Sequence, residues 1–590
     1  MQIVLPRRWQ AHTHAVVGLS DPDPYPIMEH VRTVLLLLPL LLHAATGADV
    51  PWARYEAEDG LCLGAAAVVG PSRAVGDLAG EAAGRRAVRL NQAGDGVAWT
   101  LTTGGAGLVV RLSLPDAPGG GGQDGAMEVR VDDRAVAILR VTSRYAWLYG
   151  SEHEPVDDPA AGPPRRIYDE ARLLLPRPLR AGQRLELVRA DGPAGMWGLD
   201  FAELEAVSAP LACPPDLIDA SAAGVDPAQA TIQLPPLVAR FASGRPPEGK
   251  RGIWLSPGRW RLEGIIRVPR LAGGFVVRGA GMWHTTLVDE RGRESDWGTP
   301  GFNLDAQTAL FADFAILGGG RTRKGSGKPF VNAYGAGTVM RNLWIERMTC
   351  GFWVGGGAGA TTGLRIEGCR LRNLGADGVN LCNGARDSVV VDTSVRASGD
   401  DGIAIWSAPE HDPADGRGCI GNRIERCTVE LPWRAAGIAI YGGGGNSVRD
   451  CVVRDTLTYP GLTISSGFKA RAFHGTTLVE GLLLDRCGGA FWNGQRFGAI
   501  WLQADGAPVT GIDLRGINVR EPTFSALQLA ARGDRPRIEA AITGLRVERP
   551  GSTPLLVRAD AGCVSLRDSD FGPPPLVERH GELRIEGIAE

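Results

Sequence analysis

From about residue 350 onward, apolar and polar positions alternate in short bursts, most with a glycine at the second position. Eight of them read "CGFWV", "DGVNL", "DGIAI", "AGIAI", "PGLTI", "FGAIW", "SALQL" and "TPLLV". The second positions are Gly351, Gly378, Gly402, Gly437, Gly461, Gly498, Ala526 and Pro554, so the steps are 24, 27 or 28 residues, stretched twice to 35 and 37. Another short alternating run precedes several of them, such as "GLRIEGCRLRNL", "SVVVDTSVRA", "NRIERCTVEL" or "NSVRDCVVRD". A period of two within each run predicts strands, because successive strand side chains point to opposite faces. A longer period of 24–28 residues holding two or three strands, with no helical spacing, predicts a right-handed parallel β-helix of stacked rungs. A propeller would need longer, four-stranded units.

A different alternation fills residues 53–207. "ARYEAEDG" opens it, "GMWGLDFAELEAV" closes it, and "AMEVRVDDRAVAILRVT" and "QRLELVRA" lie between, bounded by Gly, Pro and Asp. That pattern predicts a β-sandwich of jelly-roll type. "SAPLACPPD" reads as a linker, and "GIWLSPGRWRLEGIIRVPRLAGGFVVRGAGMWHTTLVD" supplies the first strands of the β-helix. The N-terminus carries no such pattern until Met28, which precedes Arg32, a nine-residue apolar run Val34–Leu42 and small residues from Ala44 to Ala48. This is the plan of a cleaved secretory signal, and the run is too short to cross a bilayer. The expected layout is a pre-sequence and signal over 1–48, a sandwich over 49–209 and an all-β, pectate-lyase-like β-helix over 210–590, exported to the periplasm or beyond and free of the membrane after cleavage.

Composition narrows the partner. The 590 residues carry 63 basic and 66 acidic side chains, a net charge of −3 with the signs interspersed, so no basic field exists to hold nucleic acid. A neutral polymer fits better. Eighty-two glycines and 40 prolines agree with a turn-rich β protein. The ten cysteines are sparse and form no C-x-x-C pair, which argues against structural zinc. Cys427 and Cys451 each lie ten residues before a corner glycine, and Cys369, Thr393 and Cys487 fall within one residue of that offset. They are expected to form an inward column of packing residues, with a Cys427–Cys451 disulfide as the alternative in an oxidising compartment.

Register then supplies candidate chemistry. Aligning "LGADGVNL" with "SGDDGIAI" stacks Asp377 on Asp401 and sets Asp400 beside Ala376, so three carboxylates share one turn of two adjacent rungs. In-register neighbours lie ~5 Å apart. Carboxylates so close raise one another's pKa, so at least one of them is able to hold a proton near neutral pH. Glycoside hydrolysis uses that combination, a protonated acid for the leaving oxygen and a carboxylate for water or carbon. A lone Asp pair at a turn is explained by turn propensity. Two acidic turns in adjacent rungs, followed by Trp406 and one rung later by Tyr441, point instead to carboxylates beside aromatic sugar platforms.

Five stretches, "VRGAGMWHTTLV", "VMRNLWIERMTCGFWV", "LGADGVNLCNG", "ASGDDGIAIWS" and "GIAIYGGGGNSV", together resemble glycoside hydrolase family 87, the α-1,3-glucanases (mutanases) and mycodextranases. The resemblance covers most of 210–530, and "RIYDEARLLL" is similar to the sandwich preceding that family's catalytic domain. It implies inverting endo-hydrolysis of an α-1,3-glucan or nigeran-type α-glucan by Asp377, Asp400 and Asp401, with no cofactor for catalysis. By similarity to polygalacturonase-like β-helix hydrolases, Asp400 is expected as general acid and Asp377 with Asp401 as the water-activating pair. Arg434, Lys469 and His474 are candidate contacts to sugar hydroxyls beside Trp406 and Tyr441, and each also reads as a solvated surface residue. The sandwich resembles carbohydrate-binding module families 6 and 35, in which acidic residues matching Glu56, Glu58 and Asp200 hold a structural calcium. The alternative there is a strand whose glutamates face water. The expected partner is an α-glucan polysaccharide, met by a monomer.

Two other readings compete. A polysaccharide lyase on the same fold would need a base for proton abstraction, and the chain shows no Arg/Lys cluster beside Asp377 and Asp400. A non-catalytic polysaccharide-binding β-helix would make the acidic turns incidental.

Overall fold

The computed structural model describes residues 45–588 apart from 243–246, 248, 290, 292–299, 324–326, 356–360, 410–414 and 534–535. The apolar run of the expected signal, Val34–Leu42, lies outside the described residues.

The first part of the chain forms two antiparallel sheets of six and five strands. Alternate residues of each strand, among them Val88, Leu108, Val110, Leu187 and Leu199, meet between the sheets with the buried Trp197. The opening strand Trp52–Glu56 pairs antiparallel with the closing strand Trp197–Glu205, so the two ends of the segment meet on one edge.

Beyond it, among the described residues, a 20-stranded and a nine-stranded parallel sheet form the long faces of a right-handed parallel β-helix. The nine-stranded sheet is built from the bursts read in the sequence. Val379 stands on Ile403, Ile403 on Ile438, Ile438 on Leu462, and Leu462 on Ile500. These residues and their i+2 neighbours Leu381, Ile405, Ile440 and Ile464 are fully buried in one continuous core. Of the intervening residues, Asn380 lines a cleft, while Ala404 and Ala439 are buried in a second cluster with Tyr441, Tyr459 and Trp501.

Close stacking explains the corner glycines. A Cβ on Gly378 would sit 2.3 Å from the Gly402 carbonyl oxygen, and one on Gly351 would sit 2.5 Å from that of Gly378. The register departs from the expected series at one place. Leu462 pairs with Ile500, so Ala499 and not Gly498 continues the corner. The two-stranded hairpin Gly489–Phe491 and Gln495–Phe497, inserted just before, absorbs the extra residue and keeps Ile500 and Leu502 facing inward. A slip of one would have turned that strand inside out.

The cysteine column is shorter than expected. Register places Cys369, Thr393, Cys427 and Cys451 in one line, and Leu482 follows. Cys487 lies outside it, five residues past Leu482. Cys427 and Cys451 are free thiols, and the Cys427 amide donates to Cys451 Sγ at 3.4 Å. They are packing residues, not a disulfide.

One helix, Ala230–Ala242, closes the first rungs. Its face Leu234, Leu237, Val238 and Phe241 joins the β-helix core, and that burial holds the helix despite Pro235 and Pro236 inside it.

The sandwich and the β-helix are joined by buried charge. Arg396, with no exposed side-chain surface, pairs bidentately with Glu170 (2.5 and 2.9 Å) and Glu203 (2.8 and 2.9 Å) of the sandwich. Arg54 of the sandwich bridges Glu203 and the β-helix residue Glu430. Arg370 pairs with Glu205 at 2.8 and 3.0 Å. Burial opposes ionisation of Glu203, but Arg396 and Arg54 outweigh it and pull its carboxyl down to about 2.

Candidate active site

Arg396 ends the strand Ser394–Arg396, and the chain then turns through Ser398, Gly399, Asp400 and Asp401 into the strand Ile403–Trp406. Gly399 is required there, because a Cβ would stand 2.1 Å from the Trp433 ring and 2.3 Å from the Gly375 carbonyl oxygen. One rung earlier Asp377 occupies the equivalent turn, and the Gly378 amide donates to the Asp401 carbonyl oxygen at 3.0 Å. Asp377 thus stacks on Asp401 as the repeat predicted. Each of Asp377, Asp400 and Asp401 offers a carboxylate oxygen, and these lie within 4.8 Å of one another.

The three environments differ. Asp401 is buried, with Oδ1 accepting from the Ala436 amide (2.9 Å) and Oδ2 from the Tyr441 hydroxyl (3.0 Å). Burial and the neighbouring Asp400 charge nevertheless push its carboxyl up to about 7. Asp377 is also buried, and burial together with Asp400 and Asp401 holds its carboxyl well above the usual range, against the partial offset of Arg323 and the Asn380 amide. Asp400 is half-buried and takes two guanidinium groups on Oδ2, Arg323 at 2.6 Å and Arg434 at 3.2 Å. Its Oδ1 has no hydrogen-bond partner among the described residues. Such a trio can share a proton or chelate a cation, and at Asp400 the two guanidiniums already supply the positive charge that a cation would bring.

A cleft of about 480 Å³ opens over the trio. Trp353, Trp406, Phe468 and Trp492 line it together with Lys328 and Arg434. Trp406 and Trp353 meet edge to face, 6.1 Å between centroids, and the ammonium of Lys328 lies 4.1 Å from the Trp353 centroid.

Of the residues expected to bind substrate, Trp406, Tyr441 and Arg434 reach this cleft. Tyr441 is not an exposed platform; it is 7% exposed and its hydroxyl is spent on Asp401. Lys469 and His474 are not among the residues lining the cleft. Lys469 is solvent-exposed outside the cleft lining, and His474 bonds the Arg417 carbonyl oxygen through Nε2 at 2.9 Å. The strap that carries them instead turns Phe468 into the cleft, where its ring packs edge-on to Tyr441 and its carbonyl accepts from Trp406 Nε1. Arg323 and Lys328 were not anticipated. They precede Asp400 by 77 and 72 residues in sequence, and no local motif marks them. Their presence also removes one argument against a lyase, since cationic groups do stand beside Asp400.

In the sandwich, Glu56 and Glu58 approach Asp200 at the closing edge. Glu56 Oε2 and Glu58 Oε2 are buried without a hydrogen-bond partner. Burial first, then Asp200 and each other's charge outweighing Arg54, push the Glu56 carboxyl up to about 8; burial and Asp200 push that of Glu58 up to about 7. These two fit a hard cation with carboxylate ligands. Asp200 does not complete the set, because Arg111 binds its Oδ2 and the Ala83 amide its Oδ1.

Comparison with known proteins bears on the whole chain. Residues 49–207 match the family model described as α-1,3-glucanase catalytic domain D1, and residues 239–548 the model described as catalytic domain D2. Among solved structures, the Agl-KA catalytic domain superposes with a TM-score of 0.84 at 25% identity, covering 93% of this chain and 100% of that one. A family 87 α-1,3-glucanase catalytic domain in complex with tetrasaccharides gives 0.76 at 26% identity, covering 91% and 100%. The thermostable α-1,3-glucanase catalytic unit from Streptomyces thermodiastaticus strain HF3-3 gives 0.75 at 25% identity, covering 91% and 97%. No curated protein matches.

Proposed function

The chain belongs to the α-1,3-glucanases of glycoside hydrolase family 87, and from that membership we propose that it cuts its α-glucan endo-wise, with inversion, using Asp377, Asp400 and Asp401. It is a glycoside hydrolase acting on α-1,3-glucan. Solved relatives are bound to nigerose and to tetrasaccharides, and an α-1,3-linked chain is the substrate we assign to the cleft. The observation that carries the mechanism is the trio itself, three carboxylates within 4.8 Å on the floor of an aromatic-lined cleft.

Asp400 is the proposed general acid. It alone of the three is half-exposed, and both guanidiniums bind Oδ2, which leaves Oδ1 to carry the proton to the glycosidic oxygen. Asp377 and Asp401 hold the attacking water. Burial and mutual repulsion keep a proton in the cluster near neutral pH, and it belongs to the group, not to one residue. The spacing favours a second reading as well. Inverting pairs generally stand roughly 6.5–9.5 Å apart to admit water, and retaining pairs about 5–5.5 Å. In the inverting reading the water sits at the edge of the cluster, between the stacked aspartates.

Asp400→Asn decides the residue and the product anomer decides the stereochemistry. The variant should fold with an unchanged melting temperature and lose α-1,3-glucan hydrolysis by at least about a thousandfold, the scale of a lost general acid plus the charge it served. Proton NMR of the first turnovers should show reducing ends of β configuration from the α-linked polymer. Product that first appears as α would replace inversion by double displacement, and substantial activity in Asp400→Asn would remove that residue from the chemistry.

A calcium ion bound by Glu56 and Glu58 is the proposed structural metal of the sandwich, where it would neutralise two half-buried carboxylates whose Oε2 atoms have no hydrogen-bond partner. Export by the segment after Met28 is proposed too; N-terminal sequencing of protein recovered outside the cell should begin near residue 49.

A further inference from the structure

The sandwich reaches into the catalytic cleft. Its loop between Trp147–Tyr149 and Pro164–Arg166 carries Glu152 and His153 across to the β-helix. The Glu152 carbonyl accepts from Arg434 Nε at 3.3 Å, while Nη1 of the same guanidinium reaches Asp400. Next to it, the exposed His153 ring stands edge-on to Trp492, with centroids 4.0 Å apart and planes at 71°. Trp492 lines the cleft and is fixed by its indole N–H, which donates to the Tyr459 hydroxyl at 2.5 Å, and by a left-handed backbone φ of 52°. The Arg434 guanidinium lies 5.7 Å from the Trp492 centroid. A continuous line, Asp400 to Arg434 to Trp492 to His153, therefore runs from the reacting centre to the rim, and its last member belongs to the other half of the molecule.

The chemistry of that rim suits a sugar. A half-exposed indole offers an apolar face for ring C–H groups, and an imidazole at its edge offers N–H or lone pair to a hydroxyl. We infer that Trp492 and His153 form an outer glucose-binding subsite, built jointly by β-helix and sandwich, that engages an α-glucan chain extending beyond the trio. The inference rests on the proposed α-glucan hydrolysis at Asp377, Asp400 and Asp401. It makes the sandwich a determinant of substrate length: a short oligosaccharide that ends before the rim does not feel His153, and a longer one does.

Binding can be measured without turnover in full-length Asp400→Asn protein, by titration calorimetry with α-1,3-linked gluco-oligosaccharides of two to six units. Affinity should rise with length. Adding His153→Ala, an exposed position that leaves the fold intact, should weaken the longer ligands about fivefold to tenfold and leave the disaccharide unchanged; Trp492→Ala should weaken the longer ligands further. Unchanged binding of every length in both variants overturns the subsite, as does an equal loss at every length, which would mark a general disturbance of the cleft. If the Asp400→Asn parent binds none of these oligosaccharides, the α-glucan reading itself falls, an outcome distinct from failure of the subsite.

Discussion

The proton balance of three aspartates controls the reaction at the residue scale. A carboxyl pushed up keeps its proton to higher pH, so the acid form of the cluster persists below about pH 7 and is lost as pH rises through that value. Asp401 activates water only once ionised, so the expected kcat/KM on soluble α-1,3-oligosaccharides rises from the acid side with a midpoint near 7, read from initial rates between pH 4 and 9. Arg434 lowers the Asp401 carboxyl, so Arg434→Gln should move that midpoint upward as well as reduce the rate; a downward shift would show that the cluster does not set the profile. The aspartates were legible in the sequence because a step of 24 residues separates Gly378 from Gly402, and equal steps in a β-helix mean vertical neighbours. Arg323 was not legible. It touches Asp400 from 77 residues away in sequence, through a turn with no pattern of its own. Lys469 and His474 lie on a stretch that does reach the cleft, but the backbone at Phe468 and Lys469 is left-handed, and it is the phenyl ring that lines the cleft while Lys469 is exposed.

Stacked rungs and sandwich edges respond to different perturbations. At the rung corner the Gly402 carbonyl allows no Cβ on Gly378, so Gly378→Ala should cost about 2 kcal/mol or more by overpacking and distort the adjacent Asp377 turn. Ala499 already carries a Cβ at the equivalent corner, and Ala499→Gly should cost only about 1 kcal/mol. Urea unfolding of the pair measures the contrast; equal losses would refute the stacking account. At the sandwich edge, chelation should lower the melting temperature of the wild type, because a ligand that binds only the folded state stabilises it by mass action. Glu56→Gln should abolish that sensitivity, whereas a wild type indifferent to chelator removes calcium from the site. The strands were readable from period two and the rungs from the longer period. The helix Ala230–Ala242 was not, since its prolines signal interruption and only the buried face beneath them reveals it. The corner at Ala499 was misread by one residue for a similar reason: the glycine pattern pointed to Gly498, while the apolar parity of Ile500 and Leu502 decides which side faces in.

Joining the two halves falls to a buried charge network that no sequence pattern announced, because its members are Arg and Glu residues that each read as ordinary strand-surface charges. Arg396 holds Glu170 and Glu203 four residues before Asp400, so the sandwich is anchored to the catalytic rung itself. Removing one partner of such a buried cluster leaves uncompensated charge, and Arg396→Met should cost about 3–5 kcal/mol at pH 7. The sign of the pH dependence separates this from a simple packing defect. In the wild type the Glu203 carboxyl is pulled down to about 2, so its contribution is complete above the unfolded value of roughly 4.5 and is lost as pH falls toward 2. Without Arg396, burial pushes the same carboxyls upward, and the variant regains stability as they protonate. The difference between wild type and Arg396→Met in denaturant unfolding should accordingly narrow from pH 7 to pH 3.5. A gap that stays constant across that range would mean Arg396 acts by shape alone, and the sandwich would then be docked by packing and not by charge.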